Sequence, residues 1–196
     1  MTETGFHALK QHIIQRLSAG LDPRFTYHNL AHTLDVLEQA SRIASLEGIS
    51  DERNLLLLKI AALYHDTGFL FTYRGHEEKS CEILEEDLGD KGFSKEEMDC
   101  MKGMIMATKI PQSPATLMEE IICDADLDYL GRDDFEPISE SLKAEFLAYG
   151  IIREVAEWDP IQVSFFEKHH YFTSSSIRLR DPVKQDHLAR LYQRTE

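Results

Sequence analysis

Residues 54–68 read NLLLLKIAALYHDTG, a stretch that is apolar almost all the way round a 3.6-residue helical turn. Such a helix has no side to offer to water, so the rest of the chain must enclose it. The rest of the chain supplies helices. Nearly every other segment carries the helical period with recognisable caps, and no convincing alternation of period two interrupts them. The expectation is an all-α helical bundle with residues 55–63 at its centre.

The surrounding elements can be placed by their stripes and stop signals. Phe6, Leu9, Ile13 and Leu17 form an opening amphipathic stripe that stops at Gly20, and Leu30, Leu34, Leu37 and Ala44 mark a second helix ending near Gly48. A helix over 76–88 follows the central one. Ser94 and Glu97 form a capping box that opens the next, which ends before Pro111. Ser113 and Pro114 open a helix that runs through the acidic run DADLD to Gly131. Further helices are expected over 135–149, over 160–170, and from Pro182 to the carboxyl end with Asp181 as its cap.

With 196 residues, 42% of them hydrophobic, the chain can close one sizeable core. A single domain over 1–196 is expected, with a motif core at about 25–131 and helices of 132–196 packed on it. No Pro, Gly or Ser-rich linker and no internal repeat argue otherwise. The amino-terminal stretch lacks the charged-then-apolar run of a signal peptide, and no apolar stretch reaches the length of a membrane span. Cys81, Cys100 and Cys123 are odd in number and far apart, which suits free thiols in a reducing compartment. A cytoplasmic protein is expected. The net charge of -14 argues against general nucleic-acid binding, since duplex affinity comes largely from Lys and Arg neutralising phosphates. A small phosphorylated ligand remains compatible, given a local positive field from a metal and a few basic side chains. Homodimerisation is left open.

Three polar clusters interrupt the helical pattern. In YHNLAH the four-residue step from His28 to His32 puts both imidazoles on one helical face, as ligands or proton carriers, or simply as a solvated polar face. His65 and Asp66 end the apolar helix, where an unpaired carboxylate would be costly. A metal would resolve that cost, as would a His-Asp hydrogen bond or a helix-end cap. In the third cluster Met118, Ile121, Ile122, Ala125 and Tyr129 define a core-facing stripe. Asp126 and Asp128 border it and Asp124 is turned further out, unless all three form a solvated acidic face.

Taken together, His32, the pair His65 and Asp66, and the distant Asp126 resemble the H...HD...D signature of the HD-domain superfamily of metal-dependent phosphohydrolases. The local contexts YHNLAH, ALYHDTGF and DADL carry the resemblance. It implies a divalent cation held by His32, His65, Asp66 and Asp126, with Asp66 also counted among the catalytic residues. It implies that His28 is a general acid and that Asp124 and Asp128 lie behind the ligands. His76 is similar to the histidine that helps hold a second metal in two-metal members. Those members usually supply a further histidine where this chain has Lys109, so one tightly held metal is expected.

Two nitrogen and two oxygen ligands suit Mn, Fe, Ni, Co or Zn better than Ca, and Mg stays among the candidate cations. Lys109 is read either as a fixed charge for a substrate phosphate or as an ordinary lysine at a helix end, and Arg74 and Arg132 are further candidates of the first kind. Trp158 and the pair Phe165-Phe166 read as core anchors, while residues 169–173 line the site or close the bundle. The function implied is hydrolysis of a phosphate ester or anhydride in a small molecule, such as a nucleotide. A di-iron oxygenase on the same scaffold and a non-catalytic nucleotide sensor are the alternatives.

Overall fold

The structure, a computed structural model, describes residues 3–195. Residues 1, 2 and 196, which the single-domain assignment included, lie outside the described residues. Among the described residues there are helices and no strands. They are α1 (Glu3–Gly20), α2 (Leu30–Leu46), α3 (Glu52–Tyr64), α4 (His76–Leu88), α5 (Lys95–Ala107), α6 (Leu117–Asp126), α7 (Phe135–Ala148), α8 (Trp158–Lys168) and α9 (Ser174–Thr195). Short 3₁₀ turns at Thr67–Leu70, Asp128–Gly131 and Val155–Glu157 connect some of them. None of these helices is long and apolar enough to cross a membrane.

As its sequence requires, α3 sits inside. Leu58, Ile60, Ala61, Ala62, Leu63 and Tyr64 have no exposed surface, and the helix packs against α1, α2, α4, α5 and α6. Asp51 caps its first turn by accepting from Asn54 N at 2.7 Å. The capping box at α5 forms as expected, with Ser94 and Glu97 each bonding the other's backbone N–H. A second apolar cluster joins Tyr27, Leu127, Tyr129, Leu130, Phe135, Phe166, Leu188 and Leu191. The polar clusters lie where this cluster meets the bundle around α3.

Some boundaries differ from the sequence reading. The sixth helix opens at Leu117, where Thr116 accepts from Glu119 N, and not at Ser113 and Pro114. The eighth runs over Trp158–Lys168, so it opens before Pro160. The last helix opens at Ser174, not at Pro182, and both Asp181 and Pro182 lie inside it. Distant side chains fix that earlier start. Glu47 accepts from Ser175 N at 2.7 Å, and Asp124 accepts from Phe172 N and Thr173 N at 2.9 and 2.8 Å. These bonds satisfy amide groups that have no intrahelical partner, a task the sequence reading had given to Asp181.

One glycine governs how α4 approaches the end of α3. A Cβ at Gly68 would stand 2.0 Å from the carbonyl oxygen of His76, so only glycine allows this packing. Ser80 of α4 secures it, donating to His65 O at 2.7 Å and accepting from Gly68 N at 2.8 Å. His76 is thereby held beside the His65-Asp66 turn.

Candidate metal centre

His32 stands in the first turn of α2, which Asn29 caps by accepting from Ala31 N at 2.8 Å and His32 N at 3.3 Å. His65 and Asp66 follow the last residue of α3, and Asp126 ends α6. These elements bring donor atoms of His32, His65 and Asp66 within 4.8 Å of one another, and Asp126 approaches the two imidazoles. His32 Nε2 lies 3.1 Å from Asp126 Oδ1, 3.4 Å from Asp66 Oδ2 and 3.4 Å from His65 Nε2. His65 Nε2 lies 3.3 Å from Asp66 Oδ2 and 3.6 Å from Asp126 Oδ1.

These spacings suit a shared cation. Donors bound at about 2.0–2.2 Å around one ion stand roughly 3–3.5 Å from each other. His65 donates its Nδ1–H to Ala62 O at 2.8 Å, which leaves the Nε2 lone pair for the centre. Asp66 Oδ2 is buried with no hydrogen-bond partner, the kind of uncompensated oxygen that a cation would satisfy.

The electrostatics agree. Burial opposes a charge on His65, yet Asp66 and Asp126 outweigh it and push its pKa well above the ordinary histidine value. Burial likewise opposes charge on the two aspartates, but the neighbouring imidazoles hold Asp66 far below the usual carboxylate range and Asp126 down to about 2. The two carboxylates thus favour positive charge at this point, and a divalent cation bound there would take the place of the imidazole proton.

His28 is also present, though not on a helical face shared with His32. It precedes the Asn29 cap, so the expected four-residue helical step does not exist. Its Nδ1–H donates instead to Glu145 Oε1 through a short contact. Glu145 is fully buried on α7 and also accepts from Tyr27 N and His28 N at 2.9 Å each and from Tyr73 Oη at 3.2 Å. Burial disfavours the imidazolium, but the bond to Glu145 and the charges of Asp66, Glu145 and Asp126 prevail and raise the His28 pKa.

Glu145 escaped the sequence reading although a signal was present. Leu142, Glu145, Phe146 and Tyr149 recur at the i, i+3, i+4, i+7 spacing of a core face, with a carboxylate at an apolar position. A polar residue there requires a partner.

The remaining candidates are placed as follows. His76 donates Nδ1–H to Tyr73 O at 3.1 Å, stacks on Phe69 and turns Nε2 toward Asp66 Oδ1 at 3.5 Å. Asp66 thus presents one oxygen to His76 and the other to His32 and His65. Lys109 does not enter the site, because its exposed ammonium pairs with Glu78. Arg74 is exposed on the turn before α4 and lines no part of the cavity at the centre. Arg132 lines no part of that cavity either, and Asp35 and Asp134 hold its guanidinium at 2.8–2.9 Å.

The helical-wheel reading of the aspartates also needs correction. Asp124, expected furthest out, has no exposed surface, because the strap at Phe172 and Thr173 covers it. Asp128 is equally buried and pairs with Arg42 at 2.7 Å and Arg180 at 2.9 Å. Both are committed to holding the carboxyl-terminal third, and neither supports a ligand directly. Residues 169–173 close the bundle in the same way, with Tyr171 Oη donating to Leu127 O at 3.2 Å.

Comparison with known proteins is consistent with this arrangement. A solved structure of a predicted HD superfamily hydrolase from an uncultured Thermotogales bacterium superposes with a TM-score of 0.61 at 22% identity, covering 94% of this chain and 89% of that one. No curated protein is similar enough to match. The family model for the HD domain matches residues 29–128, a span that includes His32, His65, Asp66 and Asp126. With that model covering just over half of its length, the chain belongs to the HD-domain family.

Proposed function

We propose that this protein is a metal-dependent phosphohydrolase acting on an ester or anhydride of a small phosphorylated molecule, nucleotides among them. HD domains bind divalent metals, and the chain has a His/Asp group suited to one. The observation that carries the reading is the pairing of that group with His28, an imidazole biased toward its charged form and facing the same cavity as Asp66, Asp126 and His76.

His32, His65, Asp66 and Asp126 would hold the cation. Bound there, a divalent cation offsets phosphoryl charge and makes water a better nucleophile. The chain's own contribution is to orient and to move protons. In hydrolysis a water oxygen joins phosphorus and gives up a proton to solvent as the bond to the leaving oxygen breaks, and the leaving oxygen needs a proton. His28, whose hold on its proton Glu145 strengthens, is the donor in reach of the cavity. Glu145 turns the ring through Nδ1, so the Nε2–H is the proton available for transfer.

The test compares two variants on a panel of phosphate esters and anhydrides. His28→Asn should retain metal and fold and lose about a hundredfold or more in turnover. His32→Asn should lose metal first and activity with it. Parent-like turnover by His28→Asn, or metal loss equal to that of His32→Asn, would overturn the assignment.

A further inference from the structure

The cavity at the centre is asymmetric. One end is polar, with Asp66, Asp126, His28 and His76, whereas most of the remainder is a chamber of Leu130, Leu142, Phe146, Ile161, Phe165 and Trp158, with Gln162 in its wall. No lysine or arginine lines it, and Glu77 adds a third carboxylate to its wall. The three cations that the sequence offered to a phosphate, Lys109, Arg74 and Arg132, are paired elsewhere or lie outside it.

Two consequences follow for a ligand. A polyphosphate would bring several negative charges into a site whose one expected cation is already shared by Asp66 and Asp126, on a chain of net charge -14. A ligand with one or two charges avoids that repulsion. The cavity volume is ≈180 Å³, and an apolar cavity of about 150 Å³ accommodates a benzene molecule. It therefore has room for one ring, and the phosphoryl group would stand at the polar end beyond it.

Trp158 supplies an independent sign of a ligand. It is 4% exposed, lines the chamber, and its indole N–H is buried without an acceptor. The side chain that the sequence presented as a core anchor thus carries an unspent donor on a residue of the chamber wall, where an unpaired polar group is costly. A ligand atom with a lone pair would satisfy it.

We propose that the site takes a phosphoryl compound of one or two negative charges that carries an aromatic ring, the ring filling the chamber and a ring acceptor meeting Trp158. The phosphoryl end of this assignment rests on the phosphohydrolase reading above. The ring end rests on the chamber.

Binding to the full-length protein loaded with Mn²⁺ tests the two ends separately. By titration calorimetry, phenylphosphonate should bind about ten- to a hundredfold more tightly than methylphosphonate, the gain expected from burying one ring. Among pyridylphosphonates, one isomer should exceed phenylphosphonate, and Trp158→Phe should abolish that excess while keeping the preference of phenyl over methyl. Turnover is measured in parallel with phenyl phosphate, diphenyl phosphate, glycerol phosphate and inorganic tripolyphosphate. Equal affinity for phenyl- and methylphosphonate, or highest kcat/KM on tripolyphosphate, overturns the proposal and leaves the phosphohydrolase reading intact. An aryl preference in binding with no ester hydrolysed supports the chamber assignment and refutes the hydrolase reading.

Discussion

Replacing Glu145 by Gln removes one charge and almost no volume at the residue that orients His28. In the parent protein Oε2 accepts two backbone N–H groups, from Tyr27 and His28, while Oε1 takes the Nδ1–H of His28 and the hydroxyl of Tyr73. In the Glu145→Gln variant the amide oxygen can keep the backbone donors only if the NH₂ turns toward His28. The imidazole then accepts at Nδ1 and becomes neutral with its proton on Nε2. A hydrogen bond to a charged group contributes about 1.5–3 kcal/mol, so the affinity of His28 for its second proton falls roughly ten- to a hundredfold.

The sign follows from His28 acting as an acid. Its pKa is raised in the folded protein, so activity should be full while it is charged and decline as pH rises through that pKa. Glu145→Gln should lower kcat and move this basic limb to lower pH, with metal content unchanged by elemental analysis. The two groups also stabilise the fold. The raised His28 pKa contributes stability that is lost as pH rises through it, and the depressed Glu145 pKa contributes stability that is lost as pH falls through it. The parent should therefore exceed the variant in thermal stability between those two limits. Measuring kcat against pH and the His28 NMR titration decides the matter. A variant with the parent's pH profile and the parent's His28 titration would refute the role given to Glu145.

Three further outcomes are expected. Adding Mn²⁺ to metal-free protein at a hundredfold above its Kd should stabilise it by about 2.7 kcal/mol, a rise of roughly 5–10 °C in Tm at this chain length, with no rise in Asp126→Asn and elemental analysis giving one tightly bound metal. Asp124→Ala should instead keep its metal but unfold at lower denaturant by at least about 2 kcal/mol, because it strands the Phe172 and Thr173 N–H groups. Gly68→Ala should loosen α4 from the His65-Asp66 turn, since its Cβ would meet His76 O at 2.0 Å, and should weaken metal binding in a dialysis assay.

How much of this was legible in the sequence differs between local and distant relations. The all-α class, the enclosed α3 and the Ser94-Glu97 capping box are set by spacings of three and four residues, which the sequence alone displays. The candidate ligands were legible through their resemblance to a family, and His32, His65 and Asp66 do stand within 4.8 Å of one another, with Asp126 beside the two imidazoles. What needed the tertiary structure was every pairing across long stretches of chain. The 3.6-residue period says which face of a helix is apolar, yet it does not say what will cover the other face. Asp124 looked solvated because the strap that buries it lies 48 residues on. Lys109 and Arg132 looked like spare cations until the fold set Glu78 and Asp35 beside them. His28 owes its raised pKa in part to a carboxylate 117 residues away, and the unspent N–H of Trp158 shows only once the side chain is buried. Local pattern decided which helices form, and the docking of the carboxyl-terminal third onto the bundle decided which polar groups are occupied and which are left to meet a ligand.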